Sequence, residues 1–264
     1  MPHLRSFKFS WTSFWSRDDE ERNVPAAGFH NPNDYGGSML AIAPNTGGLG
    51  EPLNVIVSGH SDEAVLVDQE IGRGFRSYMV AVGFASECLG QHSGNPQTAN
   101  LGDGDGMQNE TAVLRYHYGD PVLGTCKESI QGGNHFRYWA QEGAERNSGA
   151  YFLATSEEKS INFGHDIVFN GYNVGRDWLV GNATAQSSVI PTLNLTNGTT
   201  YAGSISYNNY TYYTEAIYLS GILQNSSNGV NHAFSVGTDS MSPVDGLVAV
   251  LTVKITATPS SSDT

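Results

Sequence analysis

The side chains of this chain that are best suited to chemistry are two histidines, two arginines and an aspartate: His135, Arg137, His165, Arg176 and Asp177. If the segment around His135 is an extended strand, His135, Arg137 and Trp139 share one face and present a base, a fixed cation and an aromatic ring. A guanidinium group binds carboxylate or phosphate, and an indole ring stacks on flat ligands. We therefore predict Arg137 and Trp139 as binding residues for a carbohydrate or small anion, against the alternative of a buried cross-strand cluster.

His165 precedes Asp166 and is a candidate general base, or half of a metal site with His135. Because neighbouring residues of a strand point to opposite faces, we do not expect Asp166 to orient His165. Arg176 and Asp177 are adjacent in the sequence. For these two residues the alternative interpretation is a structural ion pair.

The two cysteines, Cys88 and Cys126, are far apart in the sequence, and neither has the Cys-x-x-Cys or Cys/His spacing of a zinc site. The Gly/Asp loop 101–106 lacks both the turn glycine and the final glutamate of a calcium loop. We therefore predict no metal site and no cofactor. We predict a disulfide between Cys88 and Cys126, against the alternative of two unrelated thiols.

Composition and sequons favour an exported glycoprotein. With 26 acidic and 13 basic residues the formal charge is −13, which excludes nucleic acid as a partner, and no apolar run has the length of a membrane span. Six Asn-x-Ser/Thr sequons are present: Asn109, Asn182, Asn194, Asn197, Asn209 and Asn225. The first residues show no apolar segment of a signal peptide. We nevertheless expect an extracellular location.

The segments that must position these side chains alternate between strands and short helices. Strand patterns cover residues 53–58, 135–139, 151–155, 199–222 and 247–256. One helix is predicted to begin with Ser61 as its N-cap and to end at Gly83. Thr125 and Glu128 form a capping box for a second helix, and Asn173 is a cap for a third. This order predicts an α+β fold, a mixed and largely antiparallel sheet flanked by short helices.

Three parts are predicted along the chain. Residues 1–50 combine an aromatic start, a charge run and a Pro/Gly/Asn-rich stretch, which is typical of an arm and linker. Residues 51–258 form a single α+β domain, and residues 259–264 form a polar tail.

Four segments together resemble the LssY carboxy-terminal-like domain, in a fungal branch of secreted proteins: Glu51–Gly59, Asn134–Trp139, Gly164–Ile167 and Asn173–Val180. The resemblance covers roughly residues 50–182 and implies an α+β domain in which the five candidate residues are grouped. The family tends to carry paired histidines where this chain has Asn134-His135 and His165-Asp166. The resemblance implies no particular reaction.

Two functional hypotheses follow from the sequence. The first is a secreted, acidic, disulfide-bonded glycoprotein with a non-catalytic binding or surface role. The alternative is a hydrolase of a phosphate or glycan ester. In that enzyme His135 and His165 would serve as base or metal ligands, and Arg137 or Arg176 would hold the anion.

Overall fold

Residues 22–92, 94–186, 192–238 and 241–259 are described by the structure, a computed structural model. The strands are β1 (Leu40–Ile42), β2 (Gly50–Val57), β3 (Phe84–Ser86), β4 (Thr98–Asn100), β5 (Met107–Asn109), β6 (Ala112–Tyr116), β7 (Gly133–Gly143), β8 (Arg146–Glu158), β9 (Thr200–Tyr207), β10 (Tyr210–Leu219) and β11 (Val248–Ala257). The α-helices are α1 (Phe75–Val82), α2 (Gly124–Gln131), α3 (Gly171–Ala183) and α4 (Ala233–Val236). Short 3₁₀ helices cover Pro32–Tyr35, Cys88–Gly90, Ile161–Phe163 and Thr192–Asn194.

The strands form a curled sheet that divides at β2. Antiparallel pairing runs from β3 through β6, β7 and β8 to β2. Residues 50–52 of β2 then pair with β1, which leads to β4 and β5. Residues 55–57 pair in parallel with β11, which leads to β10 and β9. The predicted α+β class, with a mixed and largely antiparallel sheet flanked by short helices, is confirmed.

Both faces of the central strands are buried, and all eight residues of β2 are buried. On one face Val55, Val57 and Phe136 belong to an apolar core shared with α1 and α3. On the other face Ile56 and Phe152 pack with the amino-terminal segment and with residues around α4. Each large side chain buried in this way contributes roughly 1.5–3 kcal/mol. This packing fixes the central strands in place, together with the polar side chains that some of them carry.

The first helix begins 14 residues after the N-cap that the sequence predicts. α1 starts at Phe75, so the predicted N-cap at Ser61 is wrong. The Ser61 hydroxyl accepts a hydrogen bond from the backbone N of Val253 (3.1 Å) and so fixes a turn against β11. The predicted stop at Gly83 is confirmed, because this residue has the left-handed φ of 118° that glycine tolerates.

The capping box predicted for α2 is also wrong. The helix begins at Gly124, and the carboxylate of Asp120 accepts from the backbone amides of Val122 and Leu123 in the turn that precedes the helix (2.9 and 3.1 Å). Thr125 and Glu128 consequently lie inside the helix, where both are fully buried. For α3 the N-cap is Asn170 rather than Asn173, three residues earlier than predicted.

The predicted boundary at residue 50 falls inside the fold. Gly50 is the first residue of β2, and β1 pairs with it although β1 lies in the predicted linker. Phe29 and Met39 are buried in the second apolar core. Residues 1–21 of the predicted arm and residues 260–264 of the predicted tail lie outside the described residues. Among the described helices none is both long enough and apolar enough to cross a membrane.

The structure joins Cys88 and Cys126 in the predicted disulfide. The bridge connects the turn that follows β3 to the first turn of α2. It therefore fixes α2 against one end of the sheet, next to β6 and β7.

Candidate functional site

Three neighbouring strands present polar side chains on one face of the sheet. The register places Arg115 of β6 opposite His135 of β7, and His135 opposite Ser156 of β8. Paired residues share a face, as do residues two positions apart on one strand. Arg137 and Glu158 therefore lie on the same face as His135.

Helix α2 adds a carboxylate to this face. Thr125 and Glu128 are three residues apart and so share the buried side of the helix. The chain then reverses through Gly132 and Gly133, whose φ values of 82° and 147° are accessible to glycine. A Cβ on Gly133 would lie 3.1 Å from the side chain of Glu128. This close turn places Glu128 beside His135, which is only seven positions further along the chain.

The loop after β8 returns a second histidine to the same place. It contains the 3₁₀ helix Ile161–Phe163, followed by Gly164 and His165, which have left-handed φ values of 67° and 56°. The backbone N of Lys159 donates to the carbonyl of Asp166 (2.9 Å) and closes the loop. As a result His165 lies next to the carboxylate at the end of β8.

We call the resulting group of five side chains the Glu158 cluster: Arg115, Glu128, His135, Glu158 and His165. Arg115 Nη1 is 2.9 Å from Glu128 Oε2 and 3.4 Å from Glu158 Oε2. His135 Nε2 is 3.6 Å from Glu158 Oε1, and His165 Nδ1 is 3.3 Å from Glu158 Oε2. The two histidines predicted from the sequence thus contact the same carboxylate.

Charged side chains extend the cluster from Arg115 to Arg137; we call them the outer chain: Glu87, His92, Glu110 and Arg137. Arg115 Nε is 3.3 Å from Glu87 Oε1, and His92 Nδ1 is 2.6 Å from Glu87 Oε2. Glu110 lies 3.8 Å from His92 Nε2 and 2.9 Å from Arg137 Nε. The cluster and the outer chain hold four carboxylates against two guanidinium groups, a formal charge of −2 when every carboxylate is ionised and the histidines are neutral.

Burial controls protonation inside the cluster. It raises the pKa of Glu128 and of Glu158 to about 7, although the neighbouring Arg115 acts in the opposite direction. Burial also lowers the pKa of His135 well below its ordinary value, and the charges of Arg115 and Arg137 add to this effect. His135 is therefore neutral at pH 7 and keeps a lone pair available on its imidazole.

Several buried polar atoms of this region have no hydrogen-bond partner among the described residues. They are Glu128 Oε1, His135 Nδ1, Thr125 Oγ1, Ser156 Oγ and His165 Nδ1. A buried polar atom without a partner costs about 1–3 kcal/mol, so a concentration of them at one place is unusual in a folded protein. Strongly perturbed, unsatisfied polar groups of this kind are typical of functional sites.

Other predicted site residues lie elsewhere. Trp139 is 2% exposed, and its indole N–H donates to the carbonyl of Gln108 (3.1 Å), so the predicted exposed stacking surface is absent at this residue. Arg176 and Asp177 form the predicted structural ion pair (2.7 Å), which also includes Asp245. Arg176 and Asp177 both lie on α3, and the ion-pair contacts of the Glu158 cluster do not include them.

As expected, Asp166 does not orient His165, because the described contacts of its carboxylate are with other residues. Its carboxylate is 2.8 Å from Lys159 Nζ and 2.8 Å from His232 Nδ1, and it accepts from the Ser235 hydroxyl. The predicted reason is wrong, because His165 has a left-handed φ in a loop and does not belong to a strand.

Sequence reasoning missed the acidic half of the site. Glu128 carried only a helix-capping signal, and Glu158 had no local motif. Arg115 lies on a strand that the sequence pattern did not identify. The pairing of Arg115 with His135 follows only from the register of β6 on β7, which the sequence alone does not reveal.

No protein-family model, curated protein or solved structure matches this chain. The class of protein is therefore defined by its fold and its site. It is an α+β protein with a divided, curled sheet and a buried charge cluster where β6, β7, β8 and α2 meet.

Proposed function

We propose that this protein is an exported, N-glycosylated protein with a non-catalytic binding role, and that the Glu158 cluster is its ligand site. We further propose that its sheet and helices form a single domain related to the LssY carboxy-terminal-like type. Support for that relationship is the contact of His135 and His165, from two separate matching segments, with one carboxylate.

Export is supported by the positions of the sequons. Five of the six sequon asparagines are exposed: Asn109, Asn194, Asn197, Asn209 and Asn225. The sixth, Asn182, is half-buried on α3. Glycan transfer needs an accessible side chain, so the exposed positions suit modification. The disulfide agrees with an oxidising compartment.

Mass spectrometry of the secreted protein tests glycosylation. The full chain is directed to the secretory pathway of a eukaryotic host, and glycans are removed enzymatically in H₂¹⁸O so that each modified asparagine becomes a labelled aspartate. We expect label at the exposed sequons and none at Asn182, which serves as the internal control. Secreted protein without any labelled asparagine would contradict the proposal.

The binding role rests on the unpartnered buried atoms of the Glu158 cluster. A ligand that satisfies Glu128 Oε1 would recover part of the cost of burying it. The excess of carboxylates over guanidinium groups favours a positively charged ligand over the small anion predicted from the sequence. The carbohydrate ligand stays a prediction, and its proposed stacking residue Trp139 is buried.

A second candidate function is hydrolysis of a phosphate or glycan ester. The observation that favours it is the contact of both His135 and His165 with Glu158, while Arg137 Nη1 donates to His135 Nε2 (3.4 Å). In such an enzyme a histidine held by Glu158 would act as general base and Arg137 would hold the anion.

One set of measurements separates the two functions. Melting temperatures are recorded with spermidine, Mg²⁺, Ca²⁺, Zn²⁺, phosphate, sulfate and simple sugars, and turnover is assayed on p-nitrophenyl phosphate and p-nitrophenyl acetate. We expect a cation to raise the melting temperature of the wild type but not that of Glu158→Gln, and we expect no turnover. Turnover that is lost in His135→Ala and His165→Ala would instead establish the hydrolase. A panel without any stabilising compound would contradict the binding role.

A further inference from the structure

We propose that the Glu158 cluster binds one divalent first-row transition-metal ion, with Glu128, His135 and Glu158 as its protein ligands. This inference rests on the binding role proposed above and gives the ligand a chemical class. It is independent of export and glycosylation.

The spacing of the three residues suits one ion. Each residue offers one ligand atom, and the three atoms lie within 4.8 Å of one another. Ligands at about 2.1 Å from a tetrahedral ion are about 3.4 Å apart. The separation of 3.6 Å between His135 Nε2 and Glu158 Oε1 is already close to this value. Small side-chain movements would therefore bring all three atoms to bonding distance.

Arg115 orients both carboxylates and leaves one oxygen of each free for the ion. Its guanidinium Nη1 contacts Oε2 of Glu128 (2.9 Å) and Oε2 of Glu158 (3.4 Å). The other oxygen of Glu128, Oε1, is buried without a partner, and Oε1 of Glu158 faces His135. A cationic group that holds the non-ligating oxygens is a typical outer partner of a metal ligand.

The contacts of His135 also favour a cation between the ring and Glu158. Arg137 can only donate a hydrogen bond, so Nε2 of His135 must accept it with its lone pair. In this tautomer the same nitrogen faces the carboxylate oxygen of Glu158 at 3.6 Å without a proton between the two atoms. A metal ion placed there takes over the single lone pair of Nε2, which Arg137 contacts only at 3.4 Å and would release, and makes ligands of two mutually repelling electron-rich atoms.

The burial of these groups supplies the independent indication of a ligand. Glu128 is 0% exposed and its Oε1 has no partner among the described residues, and the adjacent His135 is 1% exposed. The side chain of His165 is 31% exposed and contacts Glu158 Oε2 at 3.3 Å. It therefore lies on the solvent side, where an ion can enter and where a fourth ligand or a water can complete the coordination.

The ligand set selects the class of metal. An imidazole nitrogen together with carboxylate oxygens suits Zn²⁺, Mn²⁺ and Fe²⁺, whereas Ca²⁺ and Mg²⁺ prefer oxygen ligands alone. The cysteines are joined in a disulfide and offer no thiolate. We use Zn²⁺ as the first probe and Mg²⁺ as the comparison ion.

Isothermal titration of the metal-free full chain tests the inference. We expect one Zn²⁺ per chain at this site, with an affinity that falls at least about 100-fold in Glu158→Gln and in Glu128→Gln. The matched control is Glu63→Gln, which removes the same charge from an exposed carboxylate (90% exposed) and should bind Zn²⁺ like the wild type. Equal losses in Glu63→Gln and Glu158→Gln, or wild-type affinity in both cluster variants, would overturn the inference.

A spectroscopic measurement on the wild type covers the case in which the cluster variants do not fold. Co²⁺ is added to the metal-free chain, and we expect visible d–d absorption that saturates at one equivalent and disappears when Zn²⁺ is added. Absence of this absorption, together with stabilisation by spermidine in the cation panel, would overturn the metal inference while leaving the binding role in place. Absence of both responses would overturn both.

Discussion

Replacing Arg176 with methionine is expected to lower the free energy of unfolding by about 3–5 kcal/mol. The guanidinium is fully buried and donates to Asp177, to Asp245 and to the backbone carbonyl of Leu247, all at 2.7–3.1 Å. Methionine fills a similar volume but leaves the buried carboxylate of Asp177 without its cation. Urea unfolding of the variant and the wild type measures the difference.

The double variant Arg176→Met with Asp177→Asn is the matched control. Asparagine keeps an acceptor for the Tyr218 hydroxyl, which bonds to Asp177 at 2.8 Å, and removes the uncompensated charge. We expect the double variant to be more stable than Arg176→Met alone. If it is equally unstable, the loss comes from packing and the explanation by an unpaired charge is wrong.

Replacing both Cys88 and Cys126 with serine is expected to lower the free energy of unfolding by about 3–4 kcal/mol. The bridge closes a loop with a sequence separation of 38 residues, and removing it gives the unfolded chain more conformational freedom. It also ties together the two segments that carry Glu87 and Glu128, and both of these carboxylates contact Arg115. Urea unfolding without reductant measures the change.

Reduced wild-type protein is the control for this pair of substitutions. Under dithiothreitol the wild type should lose the same stability as the double serine variant, and the variant itself should not respond to the reductant. A wild type whose stability does not change on full reduction would contradict this account of the bridge.

The sequence was sufficient for the α+β class and for the longest strands, but not for the short strands β1, β3, β4, β5 and β6 or for the order of the strands. Continuous apolar runs around Val55 and Tyr151 identified β2 and β8, because a strand buried on both faces leaves this local pattern. The division of the sheet at β2, between β1 and β11, depends on contacts between residues distant in the chain. The late start of α1 has the same origin, because the Ser61 hydroxyl bonds to β11.

The site was predictable only in part, for the same physical reason. Histidines are rare and chemically conspicuous, so His135 and His165 were identified from the sequence, and the structure places both against Glu158. Glutamates are common, and Glu128 occupied a position that helix capping already explained. Its role in the site depends on the turn at Gly132 and on the disulfide, which together bring α2 onto β7.

A crystal structure of the zinc-loaded full chain tests most directly whether the Glu158 cluster holds a divalent metal ion. Anomalous difference maps from data collected on both sides of the zinc absorption edge would locate the ion without reference to the fold. We predict a peak within about 2.0–2.2 Å of Glu128, His135 and Glu158. An empty cluster in crystals that carry zinc at other positions would contradict the account.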